Sequence, residues 1–518
     1  MKNLIFTALA LVLASCTSSK QSTKSNSGSI YIMYNNDNFA FLDPCGCRIS
    51  PIGGIDRRWN AMQGYAEESR VFVDGGNFLF KSPSAADYLK PQWFEQAKGV
   101  VEGYNLLHAD AVAIGENEFA LGVKKFEEIA ATANFPFLSA NIYKKGTDTL
   151  FAKDSILLEK RGKKIGVFAV FLPSLKLPPE LEARDINEAA REEVKKLRAR
   201  GADLVIALAH EGYENDLKLA KAVPGIDLIV GASSQSLLQN PTSEGDTRIV
   251  QLSSQGQMFA YLEYGLQEFP KKLLSNVVLE LNADFNHSPN DEANPMKNLI
   301  AVTNLRIGQA NRKLDEKIWA EHKDAVAGYD TFISCRDCHS KQAEFQEGKP
   351  HAASFLALVA KKQETNLDCV KCHSVGLGVP GGFQSMSEAL RDESGQGVAV
   401  ESVIAKMGKD FPPKEEYRVL YHKDPKHLRA DVQRWIASLQ SSGVKKAFLG
   451  MQCENCHGGM SGHPFANDNK SPTVTSAICL QCHTKEQAPA WYGSDGKVNT
   501  AVVAAAIKEM GCPRNTKE

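Results

Sequence analysis

The chain has no surplus charge of either sign. Its 60 Lys and Arg face 61 Asp and Glu, a net charge of −1 at pH 7. Nucleic-acid binders carry a basic excess, so no nucleic-acid partner is expected. Long apolar runs are also missing. The run from Leu4 to Ala14 is too short to cross a bilayer, and no later run is long enough. Cysteine is absent between Cys47 and Cys335, and histidine is absent from Trp491 to Glu518. With 518 residues and ordinary globular composition, two or three domains are expected.

The cysteines that are present cluster. Eight of the 12 fall in four Cys-x-x-Cys-His motifs: Cys335–His339, Cys369–His373, Cys453–His457 and Cys479–His483. A bare Cys-x-x-Cys is equally a zinc half-site or a redox pair, but neither needs a His directly after the second Cys. All four motifs have one. The pattern reads as covalent c-type haem attachment. Cys335, Cys338, Cys369, Cys372, Cys453, Cys456, Cys479 and Cys482 would form thioethers to four haems. His339, His373, His457 and His483 would be the proximal iron ligands. Four haems in this span make the chain a redox protein.

Axial ligation decides what such a site does. Two His close the iron for electron carriage, whereas one His with an open face permits ligand binding or catalysis. Beyond the proximal residues the region offers His322, His351, His422, His427 and His463. His351, His463 and then His427 are the candidate distal ligands. His322 and His422 read as solvent-facing.

Met1-Lys2-Asn3, the short apolar run and the small residues after it read as a secretory signal over residues 1–15. Leu13-Ala14-Ser15-Cys16 resembles the bacterial lipoprotein signal. The resemblance implies cleavage before Cys16, its acylation, and a lipid anchor. Residues 16–29, rich in Ser, Thr and Lys, would be a tether. Thr17 after the Cys fits the outer-membrane sorting pattern of that family. The expected location is that of an exported lipoprotein, periplasmic or surface-facing.

Residues 30–285 alternate apolar runs with helical stretches. The runs include Ile30–Met33, Val71–Val73, Ala111–Ile114, Ile165–Phe171, Leu204–Leu208 and Ile226–Val230, and Asn187–Arg200 reads as helix. Such alternation argues for an α/β layered fold. Residues 286–324 read as a connecting segment, with helix expected from Leu299 to His322. Residues 325–518 read as a mostly α-helical, loop-rich multihaem cytochrome c domain with little protein core of its own.

The polar turns after the strands carry further information. They include Asp37, Asp74-Gly75-Gly76-Asn77, Gly115-Glu116-Asn117-Glu118, Ala209-His210-Glu211-Gly212 and Gly231-Ala232-Ser233-Ser234-Gln235. Their order and spacing resemble the calcineurin-like metallophosphatases, especially the periplasmic 5′-nucleotidase branch. That family holds two metals that activate a water. Asp37 and His210 match ligand positions. The resemblance also implies losses: Phe39 stands in place of a His, and Asn77 in place of the bridging Asp. Glu116-Asn117 replaces Asn-His, and Ser233 and Gln235 replace two His. A neutral amide cannot bridge two cations, so an inactive metallophosphatase-like domain is expected. An altered metal site on Asp37, Glu116 and His210 stays open. Cys45 and Cys47 read either as one bridge, for instance to Cys512, or as a soft-metal or redox site.

The haem motifs, with Lys349–Phe355, Gly376–Phe383 and Cys456–His463, resemble tetrahaem cytochromes of the c-554 type. The resemblance implies distal roles for His351 and His463. Related chains often carry a further C-terminal His. Its absence leaves one haem five-coordinate or dependent on a Met such as Met460. The leading expectation is a membrane-anchored electron carrier working with periplasmic redox partners. The alternatives are a multihaem oxidoreductase acting on a small nitrogen or sulfur compound at one open haem, and a metal-dependent nucleotidase-like hydrolase.

Overall fold

A computed structural model describes residues 28–44, 51–287, 291–322, 328–379, 381–408, 411, 425–459, 463, 474–485, 487–493 and 496–513. Cys16, Cys45, Cys47, His422 and Met460 lie outside the described residues, as do the signal, most of the tether and the side chain of His322.

Two six-stranded sheets form the N-terminal half. In the first, Ser29–Asn35 lies between Met258–Gly265 and Arg70–Asp74. Ala111–Ala113 and Phe137–Leu138 continue it on one side, and Leu273–Glu280 forms the opposite edge. The second runs Thr242–Glu244, Thr247–Val250, Leu228–Gly231, Leu204–His210, Lys163–Phe171, Ser155–Lys160. The apolar runs named from the sequence all lie in or overlap strands of these sheets.

Period-two alternation decides which side chains meet. Ile30, Ile32, Val71 and Val73 of the first sheet pack with Ile165, Val167, Ile206 and Leu208 of the second. Tyr31 and Met33, on the other face, belong to a cluster with Trp93 and Val100 of a flanking helix. Burial of each such aliphatic side chain contributes about 1.5–3 kcal/mol. Helices Ile186–Ala199 and Tyr213–Ala222 cover the second sheet. The first of these starts where the Asp185 side chain accepts a hydrogen bond from the Glu188 amide, an N-cap.

Parallel pairing brings the carboxyl ends of the central strands to one edge. Asn35 pairs with Asp74, and Phe171 with His210. Loops leaving that edge converge, the usual place for ligands in an open α/β sheet.

Helix Pro295–His322 does more than connect. It packs along Lys90–Leu106, where Gly99 leaves room: a Cβ there would lie 2.5 Å from Thr303 Oγ1. Beyond it, short helical segments predominate. The expectation of little protein core holds for residues 450–513, where Val503 is the one buried apolar residue among those described. It fails for residues 353–449, where Phe355 packs on Trp435 and Phe383 on Phe448, all four buried.

Candidate functional site

The first Cys of each Cys-x-x-Cys-His motif lies on a short helical segment: Phe332–Cys335, Leu367–Val370, Cys453–His457 and Ser476–Cys479. A helical turn sets residues three and four apart on one face, so the two Cys and the His project together. Backbone bonds extend the turns: His339 N donates to Cys335 O at 2.9 Å, and His483 N to Cys479 O at 2.9 Å.

Motifs distant in sequence meet. Cys335 lies beside Cys453, Cys372 beside Cys482, and Asn455 of the third motif donates to Ser374 O just after the second at 2.8 Å. The first and third motifs are thus neighbours, and so are the second and fourth. None of the described cysteines forms a disulfide, and Cys512 is an exposed free thiol.

The histidines also gather. The His339 and His463 rings lie 6.4 Å apart, 22° from parallel. The His351 and His483 rings lie 6.1 Å apart. An iron bonded at about 2 Å by each of two imidazoles puts their ring centres about 6 Å apart. The donor set therefore fits a haem iron at each pair. Burial pushes His351 down to about 4, helped by His483 and His373 nearby, so it is neutral and able to bind a metal. Burial also lowers His457, with His339 contributing.

Supporting groups orient the rings. His373 Nδ1 lies 2.5 Å from Ser354 O, a contact that orients the ring. Trp491 stacks on His483 at 4.3 Å, and Tyr492 donates its hydroxyl to His483 O at 2.9 Å. His427, on Pro425–Ser441, has Nε2 3.4 Å from the Asp431 carboxylate. Sequence reasoning missed Ser354, Trp491 and Tyr492. Aromatic residues soon after the fourth motif were the one signal available.

The loops at the shared sheet edge form a second site. Asp37, Phe39, Ala40, Asn77, Ser233 and Gln235 all have left-handed backbone, with φ between 49° and 74°. Such strain in non-glycine residues concentrates at functional sites. Asp37 is fully buried. Its Oδ1 accepts from Asn77 Nδ2 at 3.0 Å, and its Oδ2 from Asn36 Nδ2 at 3.0 Å and Ser233 N at 2.9 Å. Burial raises Asp37 to about 6, against the pull of these donors.

Protein N–H donors thus engage both carboxylate oxygens of Asp37. His210 Nδ1 contacts Gly75 O at 3.1 Å, and Phe171 stacks on the ring. Its Nε2 is buried without a hydrogen-bond partner among the described residues, and burial lowers its pKa. Glu118 accepts from the amides of Phe78, Leu79 and Gly115, tying two loops together. Among the described residues no three His, Cys, Asp or Glu gather to hold a metal. Asp37, Glu116 and His210 accordingly form no such group, and two metals do not fit this donor set. Asn36 gave no sequence signal, because an amide that caps a buried carboxylate has no characteristic spacing.

Comparisons with known proteins cover both regions. Residues 334–399 match the family described as cytochrome c554 and c-prime. The chain is 26% identical over 362 residues to a 5′-nucleotidase of Diplobatis ommata, covering 56% of this chain and 60% of that protein. A snake venom 5′-nucleotidase of Crotalus adamanteus is 32% identical over 199 residues, 36% of this chain and 32% of that protein. The solved 5′-nucleotidase precursor of Thermus thermophilus is 22% identical, with a TM-score of 0.45, covering 58% of this chain and 62% of that one. This chain spans less than two thirds of the length of each of these relatives. The chain joins an N-terminal α/β domain of the 5′-nucleotidase-like metallophosphatase type to a helical region with a cytochrome c554-type segment, and that match supports haem c binding.

Proposed function

We propose that this protein is a lipid-anchored tetrahaem c-type cytochrome that carries electrons in the periplasm and exchanges them with redox partner proteins there. The observation that carries the reading is the approach of His339 to His463 and of His351 to His483, at 6.4 and 6.1 Å between ring centres. In this reading His463 closes the haem of Cys335 and Cys338, and His351 closes the haem of Cys479 and Cys482. His427, backed by Asp431, is a third candidate distal ligand. Bound haem would supply one-electron exchange between ferric and ferrous iron.

The chain's own residues prepare these sites. Neutral His351 keeps a nitrogen lone pair available, and Ser354 orients the His373 ring. Contacts among the motifs favour close placement of the haems. Cys16 would carry the lipid, on the outer membrane. The N-terminal domain would be a scaffold or docking domain without phosphatase activity, a role that the amide bonds around Asp37 support.

Expression with export and c-type maturation, followed by intact-mass measurement, tests the reading. Four haems per chain and a lipid on Cys16 are expected. A chain with no covalent haem would overturn it.

A second reading has its own support, since the N-terminal relatives are named 5′-nucleotidases. A metal-dependent hydrolase acting on nucleotides would follow from them. The hydrogen bonds that fill the Asp37 carboxylate weigh against it. Assay of AMP hydrolysis with Mn²⁺, Co²⁺ or Zn²⁺ separates the two. Hydrolysis that disappears in Asp37→Ala would favour the hydrolase.

A further inference from the structure

The N-terminal domain grips the second Cys-x-x-Cys-His motif through one carboxylate. Asp368 immediately precedes Cys369. Its Oδ2 accepts from Lys81 Nζ at 2.7 Å, Gln92 Nε2 at 2.9 Å and Trp93 Nε1 at 3.0 Å. All three donors belong to the N-terminal domain. Lys81 lies in the loop after strand Arg70–Asp74, and Gln92 and Trp93 lie in the first turn of Lys90–Leu106.

The grip extends along the attachment helix. Gln92 is fully buried, and its Oε1 accepts from the Leu367 amide at 2.9 Å and from Asn311 Nδ2 at 3.0 Å. Asn366 caps the turn Leu367–Val370 by accepting from the Asp368 amide, and it also accepts from Gln92 Nε2 at 3.2 Å. After the motif, Gly378 packs under Tyr88: a Cβ there would lie 2.6 Å from Tyr88 Cε1. A fold shaped like a phosphatase thus holds the turn before Cys369 and the loop after His373.

The ion pair at the centre of this grip is partly shielded, with Lys81 27% and Asp368 15% exposed. The pair sits one residue before Cys369, so both charges lie beside the attachment turn.

We propose that the N-terminal domain is the housing of the second haem, and that the Lys81–Asp368 pair positions that haem's attachment turn and sets its reduction potential. This rests on the reading of Cys369 and Cys372 as haem-attachment residues. It goes further by giving the N-terminal domain a part in electron transfer that needs no catalysis. Lys81 and Asp368 are positioning residues here, acting on the haem site through charge and through the turn.

The sign of the effect is fixed by electrostatics. A positive charge near an iron centre favours the less positive, reduced state, and a negative charge favours the oxidised one. Lys81→Met removes the positive charge and keeps Asp368, so the second haem should become harder to reduce. Asp368→Asn removes the negative charge and keeps Lys81, so the same haem should become easier to reduce.

Spectroelectrochemical titration of the haem-loaded full chain tests this, with peptide mass mapping of haem on Cys369 and Cys372. The expected result is one midpoint potential that falls in Lys81→Met and rises in Asp368→Asn, with the others unmoved. The double variant should return toward the parent. Unmoved potentials in both variants, or shifts of the same sign in both, would overturn the proposal while leaving the haem reading intact. Absence of haem from the Cys369–Cys372 peptide of the unaltered protein would overturn both.

Discussion

The rings of His339 and His463 lie 6.4 Å apart, although one belongs to the first Cys-x-x-Cys-His motif and the other follows the third. A similar spacing recurs between His351, after the first motif, and His483 of the fourth. Each pair joins parts of the chain that only the folded state brings together. Under the proposed ligation, removing the distal member opens one iron. His463→Ala should convert one low-spin haem to high-spin, and His351→Ala should do so to a different haem. Optical and magnetic spectra of the oxidised variants read this directly. Spectra identical to the parent in both would show these pairings to be wrong.

Asn77 donates to Asp37 at 3.0 Å inside a buried site. Asn77→Asp removes that donor and sets two carboxylates against each other. A loss of roughly 3–5 kcal/mol is expected, the scale of an uncompensated buried charge. Added Mn²⁺ should recover part of it, because a cation that binds only the folded site stabilises it. Denaturant unfolding with and without the metal measures both effects. Undiminished stability in the variant would contradict the role assigned to the amide.

Glu211 is buried near Asp216, and its Oε1 has no hydrogen-bond partner among the described residues. Burial raises Glu211 from 4.5 to about 7, with Lys218 opposing. Burial, and then Glu211, raise Asp216 as well. The folded state therefore holds these protons more tightly than the unfolded chain. Their contribution is fully present below the unfolded pKa and is lost as pH rises through the folded one. For Glu211 that loss amounts to about 3 kcal/mol. Glu211→Gln should flatten the dependence of stability on pH between 4.5 and about 7. An unchanged slope would place the titrating group elsewhere.

Cys16→Ser should move the protein from the membrane fraction to the soluble periplasm, with its haem content unchanged. Cell fractionation with haem staining decides it. Retention in the membrane would rule out anchoring through Cys16.

The sheets were legible because their central strands are buried on both faces and read as continuous apolar runs, Ile165–Phe171 above all. Helix Ile186–Ala199 was legible from its charge pattern, and Asp185 supplies the cap that starts it. Local motifs marked the attachment residues. Contacts between distant motifs were not legible, since nothing in Cys335 or Cys453 names the other. The packing of Pro295–His322 onto Lys90–Leu106 depends on Gly99, a residue that looks like a helix defect in sequence. The grip of Lys81, Gln92 and Trp93 on Asp368 was hidden for a related reason. Polar side chains that meet across a domain boundary leave no periodic trace.

The electron paramagnetic resonance spectrum of the oxidised, haem-loaded protein tests electron carriage most directly. The expected spectrum has low-spin ferric signals from at least the two haems that these His pairs would close. A spectrum in which all haem iron is high-spin and shifts on adding cyanide would contradict that reading and point instead to open, ligand-binding haems.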